Sequence, residues 1–398
     1  MIELPADLAV LIGAGVYLAF FLRPKTDRLA LAATTLGGCL CLGEVPYIHL
    51  TAQPGYTLTG LVVISLLAAI ILKRKDFSLR PLIPWLVLVL IWLAWVGLGL
   101  ALAGWPPTSL GSFSRLAQLL FFAALMGLVS QRPEALAALF RGLTYTLAAV
   151  AGVAIYQFFA GRFYLEIGRT TMSGYDYLIQ EPMGFFRAGG TFTDPNNLAV
   201  VLALATLGLA WLIARGGGQV RLSAGLALYY CGLLVTLSRS IWFGLIVGGL
   251  IVFRRAGWVF MAVVLGASLL GLGWSSYARQ DPPRPGKTPY TSASSRWVYW
   301  EAAWDMAQDS PLFGVGLNQY HRRFLAMRGQ EVLDDLRMKK AKPHGLFIGL
   351  GAETGLVGLG LFALMMLWPF WRLVRQRGSL ARLAAGLLAA TAVNAFFH

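Results

Sequence analysis

Apolar residues fill the chain in long, nearly unbroken runs, at about the length a helix needs to cross a bilayer, and do not alternate with polar positions as in a half-buried strand. The runs predict spans over 8–22, 29–43, 58–72, 82–103, 116–130, 136–160, 197–214, 222–237, 241–253, 258–274 and 345–371, with a last one opening near 383. The fold class is therefore all-α, a polytopic membrane protein of about twelve transmembrane helices. Several runs are shorter than the roughly 20 residues a bilayer requires, so flanking residues must extend them or they form tightly packed, re-entrant segments. The run interrupted at Arg239 is the clearest of these. The final run is still apolar at His398, which leaves room for a truncated last span.

Composition sharpens the class. The 398 residues are 57% hydrophobic and only 13% charged, with a mean hydropathy of +0.65, where a soluble domain carries roughly 25% charged residues. A soluble enzyme is excluded. A net charge of +15 would suggest nucleic acid in a soluble protein, but in a membrane protein basic residues report topology and lipid headgroups. Membrane lipids are expected partners and nucleic acid is not. Cys39, Cys41 and Cys231 lie in apolar segments without metal or disulfide spacing and read as packing residues. No basic segment with a small-residue cleavage site precedes Leu8, so the first run reads as a retained span.

The bases mark one side. Arg23, Lys25 and Arg28, then Lys73 to Lys75 with Arg80, then Arg132 and Arg141, Arg215 and Arg221, Arg254 and Arg255, and Arg372 to Arg382 occupy alternate connections, which the positive-inside rule assigns to the cytoplasm. The connections 44–57, 104–115, 161–195, 238–239 and the long loop 275–343 then face outward, as does the N-terminus with Glu3 and Asp7. Four regions follow: N-terminal helices over 1–160, central helices with external arginine motifs over 161–274, a large outer loop over 275–343, and C-terminal helices over 344–398.

Polar residues out of keeping with their surroundings gather at the outer ends of spans, where they can converge on one outward-facing site. In the segment from Phe186 to Asn197, glycines permit tight turns and Asp194 or Asn196 can cap the next helix, whose N-terminus attracts anions. Arg187 there fits either an anion ligand or a snorkelling side chain beside a capped helix. Arg239, in Leu237-Ser238-Arg239-Ser240, sits between two runs so apolar that an anionic partner is expected, whether a ligand, lipid phosphate or helix carbonyls. Trp297, Trp300 and Trp304 recur at helical spacing and predict a helix lying at the membrane interface, with Arg296 in its first turn pointing to a site or to water. A glycine-bearing turn over Pro311–Gly316 ends that helix, and Tyr320 follows. His344 stands between a basic loop and the start of a span, suited to a proton-accepting imidazole, a cap or a headgroup contact. The run from Arg337 to Lys342 is a solvated face or an attractor of polyanions. The glycines from Gly349 to Gly360 read as close helix packing. No acidic pair at glycosidase spacing and no metal-ligand cluster is seen, so metal and cofactor are expected to be absent.

Taken together, Arg187 to Asn197, Ser238-Arg239-Ser240, Ser295-Arg296, Pro311-Leu312-Phe313-Gly314-Val315-Gly316, His344 and Ala352-Glu353-Thr354-Gly355-Leu356-Val357-Gly358 resemble, in order and spacing, the bacterial O-antigen ligase and polymerase superfamily. The resemblance covers about the second half of the chain. It implies an inner-membrane glycosyltransferase with a large periplasmic loop containing interfacial helices and a site facing the periplasm. The donor would be a glycan on undecaprenyl diphosphate. Ligases pass it to lipid A-core, polymerases to a second lipid-linked glycan, and related members to protein. It further implies His344 as base on the acceptor hydroxyl and Arg187, Arg239 and Arg296 as holders of the donor diphosphate, with Asp194, Asn196, Tyr320 and Glu353 in support. Transfer would be inverting and metal-independent. Ligation to lipid A-core is favoured because His344 adjoins a basic loop. A non-catalytic lipid-linked glycan transporter or binding protein would use the external arginines without His344. Two features depart from the family: Gly345 stands where an Asn or another small polar residue is frequent, and the charge pattern puts the N-terminus outside where the resemblance implies both termini inside.

Overall fold

A computed structural model describes residues 16–23, 26–41, 58–160, 187–192, 194–216, 219–254, 258–278, 294–330, 332 and 341–397. Most of the first expected span, the connection 44–57, the segment 161–186 and the bases Arg337, Lys339 and Lys340 lie outside them. The architecture is all-helical, with no strand among the described residues. The helices are α1 (Arg28–Cys41), α2 (Leu58–Leu72), α3 (Ile83–Leu102), α4 (Pro107–Val129), α5 (Pro133–Ala160), α6 (Pro195–Ala214), α7 (Gln219–Val235), α8 (Ser240–Phe253), α9 (Trp258–Ala278), α10 (Ser294–Asp309), α11 (Tyr320–Arg328), α12 (Leu346–Arg375) and α13 (Ser379–Phe397).

Six of these, α3, α4, α5, α6, α12 and α13, are long and apolar enough to cross a membrane; α1, α2, α7, α8 and α9 contribute shorter apolar helices. Large apolar side chains such as Leu90, Leu102, Phe159 and Leu270 stand exposed on them, as expected of a surface solvated by lipid. This is a membrane protein. Helix α4 begins at Pro107, so most of the expected outer connection 104–115, Arg115 included, is helical. Proline is favoured in a first helical turn, where its missing N–H has no partner to lose. Helix α9 likewise continues to Ala278, four residues into the expected long loop.

The chain divides into two compact units. In the first, which comprises 1–78 and 125–280, α1 packs on α2 and α5, α7 on α5 and α6, and α8 on α6 and α9. Tyr229 of α7 donates its hydroxyl to the Thr144 carbonyl of α5 at 2.7 Å, and Trp242 of α8 donates to Ser275 of α9 at 3.1 Å.

In the second unit, 79–124 and 281–398, α12 packs against α3, α10 and α13. Helix α12 is broken at Gly355, whose φ of +74° and ψ of 175° leave helical space. An added Cβ would collide with the Leu312 carbonyl. The break frees backbone groups that lipid cannot satisfy, and the turn after α10 answers them. The N–H of Val315 donates to the Ala352 carbonyl at 2.9 Å, that of Gly316 to the Glu353 carbonyl at 3.1 Å, and the Pro311 carbonyl accepts from Leu356 at 2.8 Å. Helix α3 closes the other side: the indoles of Trp92 and Trp95 donate to the carbonyls of Gly358 and Thr354 at 2.9 and 3.2 Å. The Pro311–Gly316 motif is thus a plug for a kinked helix, and Gly355 is the hinge point, a larger role than close packing.

Candidate functional site

The expected site residues fall into two groups, Arg187, Asp194, Asn196 and Arg239 in the first unit, and Arg296, Tyr320, His344 and Glu353 in the second.

In the first unit, Asp194 is the N-cap of α6: its backbone is extended and its carboxylate accepts the Asn196 N–H at 2.8 Å, with Pro195 at the first helical position. This satisfies one of the orphan donors of a helix start. The Asn196 side chain is thereby left for Arg187, whose Nη2 donates to Asn196 Oδ1 at 2.7 Å while Nε donates to the Thr236 carbonyl at 3.0 Å. Arg187 is 5% exposed. The snorkelling reading is thereby excluded, and the guanidinium is a buried strut between the entry to α6 and the exit from α7. The strap is also fastened by the Ala188 N–H to the Val235 carbonyl at 3.0 Å.

Gln157 of α5 fixes the next residues, with its amide and the backbone of Gly190 exchanging two hydrogen bonds of 2.8 and 2.9 Å. Sequence reasoning passed over this residue. Its signal was a lone amide in an otherwise apolar run, which is costly unless paired. The turn that receives Arg187 continues into Arg239, half-buried at the first turn of α8. Within that strap and turn, the hydroxyls of Thr191 and Ser238 are buried without a hydrogen-bond partner among the described residues.

In the second unit, the face of α10 carrying Tyr299, Ala302, Ala303 and Met306 is buried against Tyr320 and Phe324 of α11. Trp297 and Trp304 are exposed on the opposite side. Among the described residues three ion pairs tie α11 to α10, Arg328 with Asp305 at 2.8 Å and with Glu301 at 3.7 Å, and Arg323 with Asp309 at 3.0 Å. Arg296 is half-buried in the first turn of α10.

Tyr320 and Glu353 do come together, through the backbone. Glu353 Oε1 accepts the Tyr320 N–H at 3.2 Å and the carboxylate also accepts the Asn318 N–H, so an acid on α12 caps the start of α11 from outside. The Tyr320 hydroxyl donates to the Tyr299 carbonyl at 2.7 Å. Burial first, then the nearby Tyr299 and Glu353, pushes the Tyr320 phenol well above its ordinary value. It is a hydrogen-bond donor and no base.

His344 precedes α12 with φ +46°, a left-handed conformation unfavourable for a residue with a Cβ. Its carbonyl accepts the Trp300 indole N–H at 3.2 Å, and its imidazole packs against the Tyr299 ring with centroids 5.3 Å apart. Neither Tyr299 nor Trp300 was singled out as a site residue, Trp300 because it reads as one member of the tryptophan stripe and Tyr299 because it lies outside that stripe. Of the basic run, Lys342 is described and exposed. Gly345 has an extended backbone that any residue can adopt, so its small size is what counts.

A backbone-strained histidine with a flanked imidazole, and an arginine presented by a turn that a second, buried arginine holds, are means to accept a proton and to bind an anion. Comparison with curated proteins gives no match. Residues 222–363, which hold Arg239, Arg296, Tyr320, His344 and Glu353, match the O-antigen ligase family model, a match that supports the O-antigen ligase and polymerase superfamily, whose members are membrane glycosyltransferases.

Proposed function

We propose that the protein transfers a glycan from undecaprenyl diphosphate to an acceptor hydroxyl at the periplasmic face of the inner membrane, with lipid A-core as the acceptor. The observation that carries this reading is His344, kept in a left-handed backbone conformation inside the matched region. Strain of that kind costs about 1–3 kcal/mol and persists where surroundings enforce it, often at functional sites.

In this reading the His344 imidazole takes the proton of the acceptor hydroxyl as its oxygen attacks the anomeric carbon from the face opposite the leaving group. The bond from that carbon to the diphosphate oxygen breaks, and undecaprenyl diphosphate leaves with the electron pair, inverting the centre. Arginine charge stabilises the growing negative charge on the diphosphate. Arg239 and Arg296 are the ligands we assign to it, and Arg187 acts chiefly by holding the turn that bears Arg239. The bases of the loop before His344 favour an anionic acceptor lipid.

The test is a reconstituted reaction of the purified protein with undecaprenyl-diphosphate oligosaccharide, with and without lipid A-core, resolved by product length. A single transfer that requires lipid A-core supports ligation. A ladder from donor alone means a polymerase. No product with either acceptor, while donor still binds, would move protein glycosylation or non-catalytic glycan binding ahead of the proposal.

A further inference from the structure

Trp300 does more than complete an interfacial stripe. Its indole N–H is spent on the His344 carbonyl at 3.2 Å, and its ring meets that of Phe396, in the last turn of α13, edge-on with centroids 5.9 Å apart. Gly345 closes the same cluster: a Cβ there would stand 2.8 Å from the Phe396 carbonyl oxygen and 3.7 Å from the indole nitrogen of Trp300. The His344–Gly345 peptide is thus packed against an indole from α10 and the end of α13, with no space for a methyl group. The absence of a side chain at 345 has its physical reason in this packing.

We propose that Trp300, backed by Phe396, is a positioning residue that holds His344 in its left-handed backbone conformation and so aims the imidazole. A relaxed φ would swing the ring away from the Tyr299 face it now packs against, and a base acts only within hydrogen-bond reach of its proton. The inference rests on His344 being the base of the proposed transfer.

Trp300→Phe keeps an aromatic ring beside Phe396 and deletes the N–H. In the reconstituted transfer its kcat is expected to fall about 10-fold or more, since small misplacements of reacting groups are costly, with donor KM within about twofold of wild type. Phe396→Ala should move kcat the same way by less. In a His344→Ala background, Trp300→Phe should produce no further loss of the residual turnover, because a residue acting through His344 has nothing left to position. A merely structural role would lower both backgrounds alike. If Trp300→Phe fails to fold, judged by circular dichroism and gel filtration in detergent, Phe396→Ala carries the same comparison.

A folded Trp300→Phe with wild-type kcat, or an equal loss in both backgrounds, overturns the inference while leaving a His344→Ala reduced to residual turnover in support of the base. Wild-type turnover by His344→Ala overturns the proposed base itself, and the inference with it.

Discussion

Arg187 Nη2 lies 2.7 Å from Asn196 Oδ1, and the same buried guanidinium reaches the Thr236 carbonyl through Nε. One side chain therefore ties the start of α6 to a turn that ends, three residues after Thr236, in Arg239. Two arginines that look equivalent in the sequence have different burdens.

Arg187→Ala is expected to lower stability by about 3 kcal/mol or more, from two hydrogen bonds to a charged group at roughly 1.5–3 kcal/mol each. Arg187→Lys should not rescue it, because one ammonium cannot replace the planar fork that reaches both acceptors. Arg239→Ala should lose less stability and show its effect in donor kcat/KM. Thermal unfolding in detergent, run beside donor kinetics, separates the two. An Arg187→Ala protein as stable as wild type yet unable to use donor would give Arg187 the direct role instead.

Most helices were legible because lipid and packed neighbours demand long apolar runs: the run predicted over 58–72 is α2, residue for residue, and the run over 197–214 is α6 with Pro195 and Asn196 added by its cap. The kink was not legible. Gly355 stands among glycines of similar appearance, and only its folded backbone distinguishes it, through a positive φ and the approach of the Leu312 carbonyl. The pairing of α3 with α12 was hidden for a different reason, since the indole bonds of Trp92 and Trp95 span more than 250 positions of chain. The place of His344 between a basic loop and a span drew attention to it and the family resemblance gave it a role, whereas its neighbours Tyr299 and Trp300 are identified by the ring contact and the hydrogen bond that folding creates.

The carboxylate of Glu353 spends its acceptors on the N–H groups of Tyr320 and Asn318, which is what a cap does and not what an acid–base group with an open lone pair does. Glu353→Gln keeps a carbonyl oxygen for these donors, so turnover is expected within about threefold of wild type and stability slightly lower, a neutral acceptor being weaker than a charged one. Glu353→Leu leaves the start of α11 without its acceptor and should cost about 1–3 kcal/mol. The measurements are unfolding midpoint and turnover on the same preparations. A folded Glu353→Gln protein with turnover lowered a hundredfold or more would make the carboxylate a chemical participant.

Tyr299 offers a prediction in pH. Its ring is fully buried beside His344 and Phe324, its hydroxyl has no hydrogen-bond partner among the described residues, and burial pushes the phenol up from 10 to about 12. A buried unpaired hydroxyl costs about 1–3 kcal/mol, so Tyr299→Phe should fold at least as stably as wild type at pH 8 while keeping the ring contacts. The folded-state value lies above the unfolded one, so the contribution of this proton to stability is complete below pH 10. It is lost as pH rises to about 12, because the unfolded chain releases the proton first. Phenylalanine has no such proton. The stability gap in favour of Tyr299→Phe should therefore widen between pH 10 and pH 12 and be constant below pH 9, read from thermal unfolding in detergent across that range. A gap that narrows with rising pH would mean that the Tyr299 hydroxyl is ionised or bonded in the folded protein.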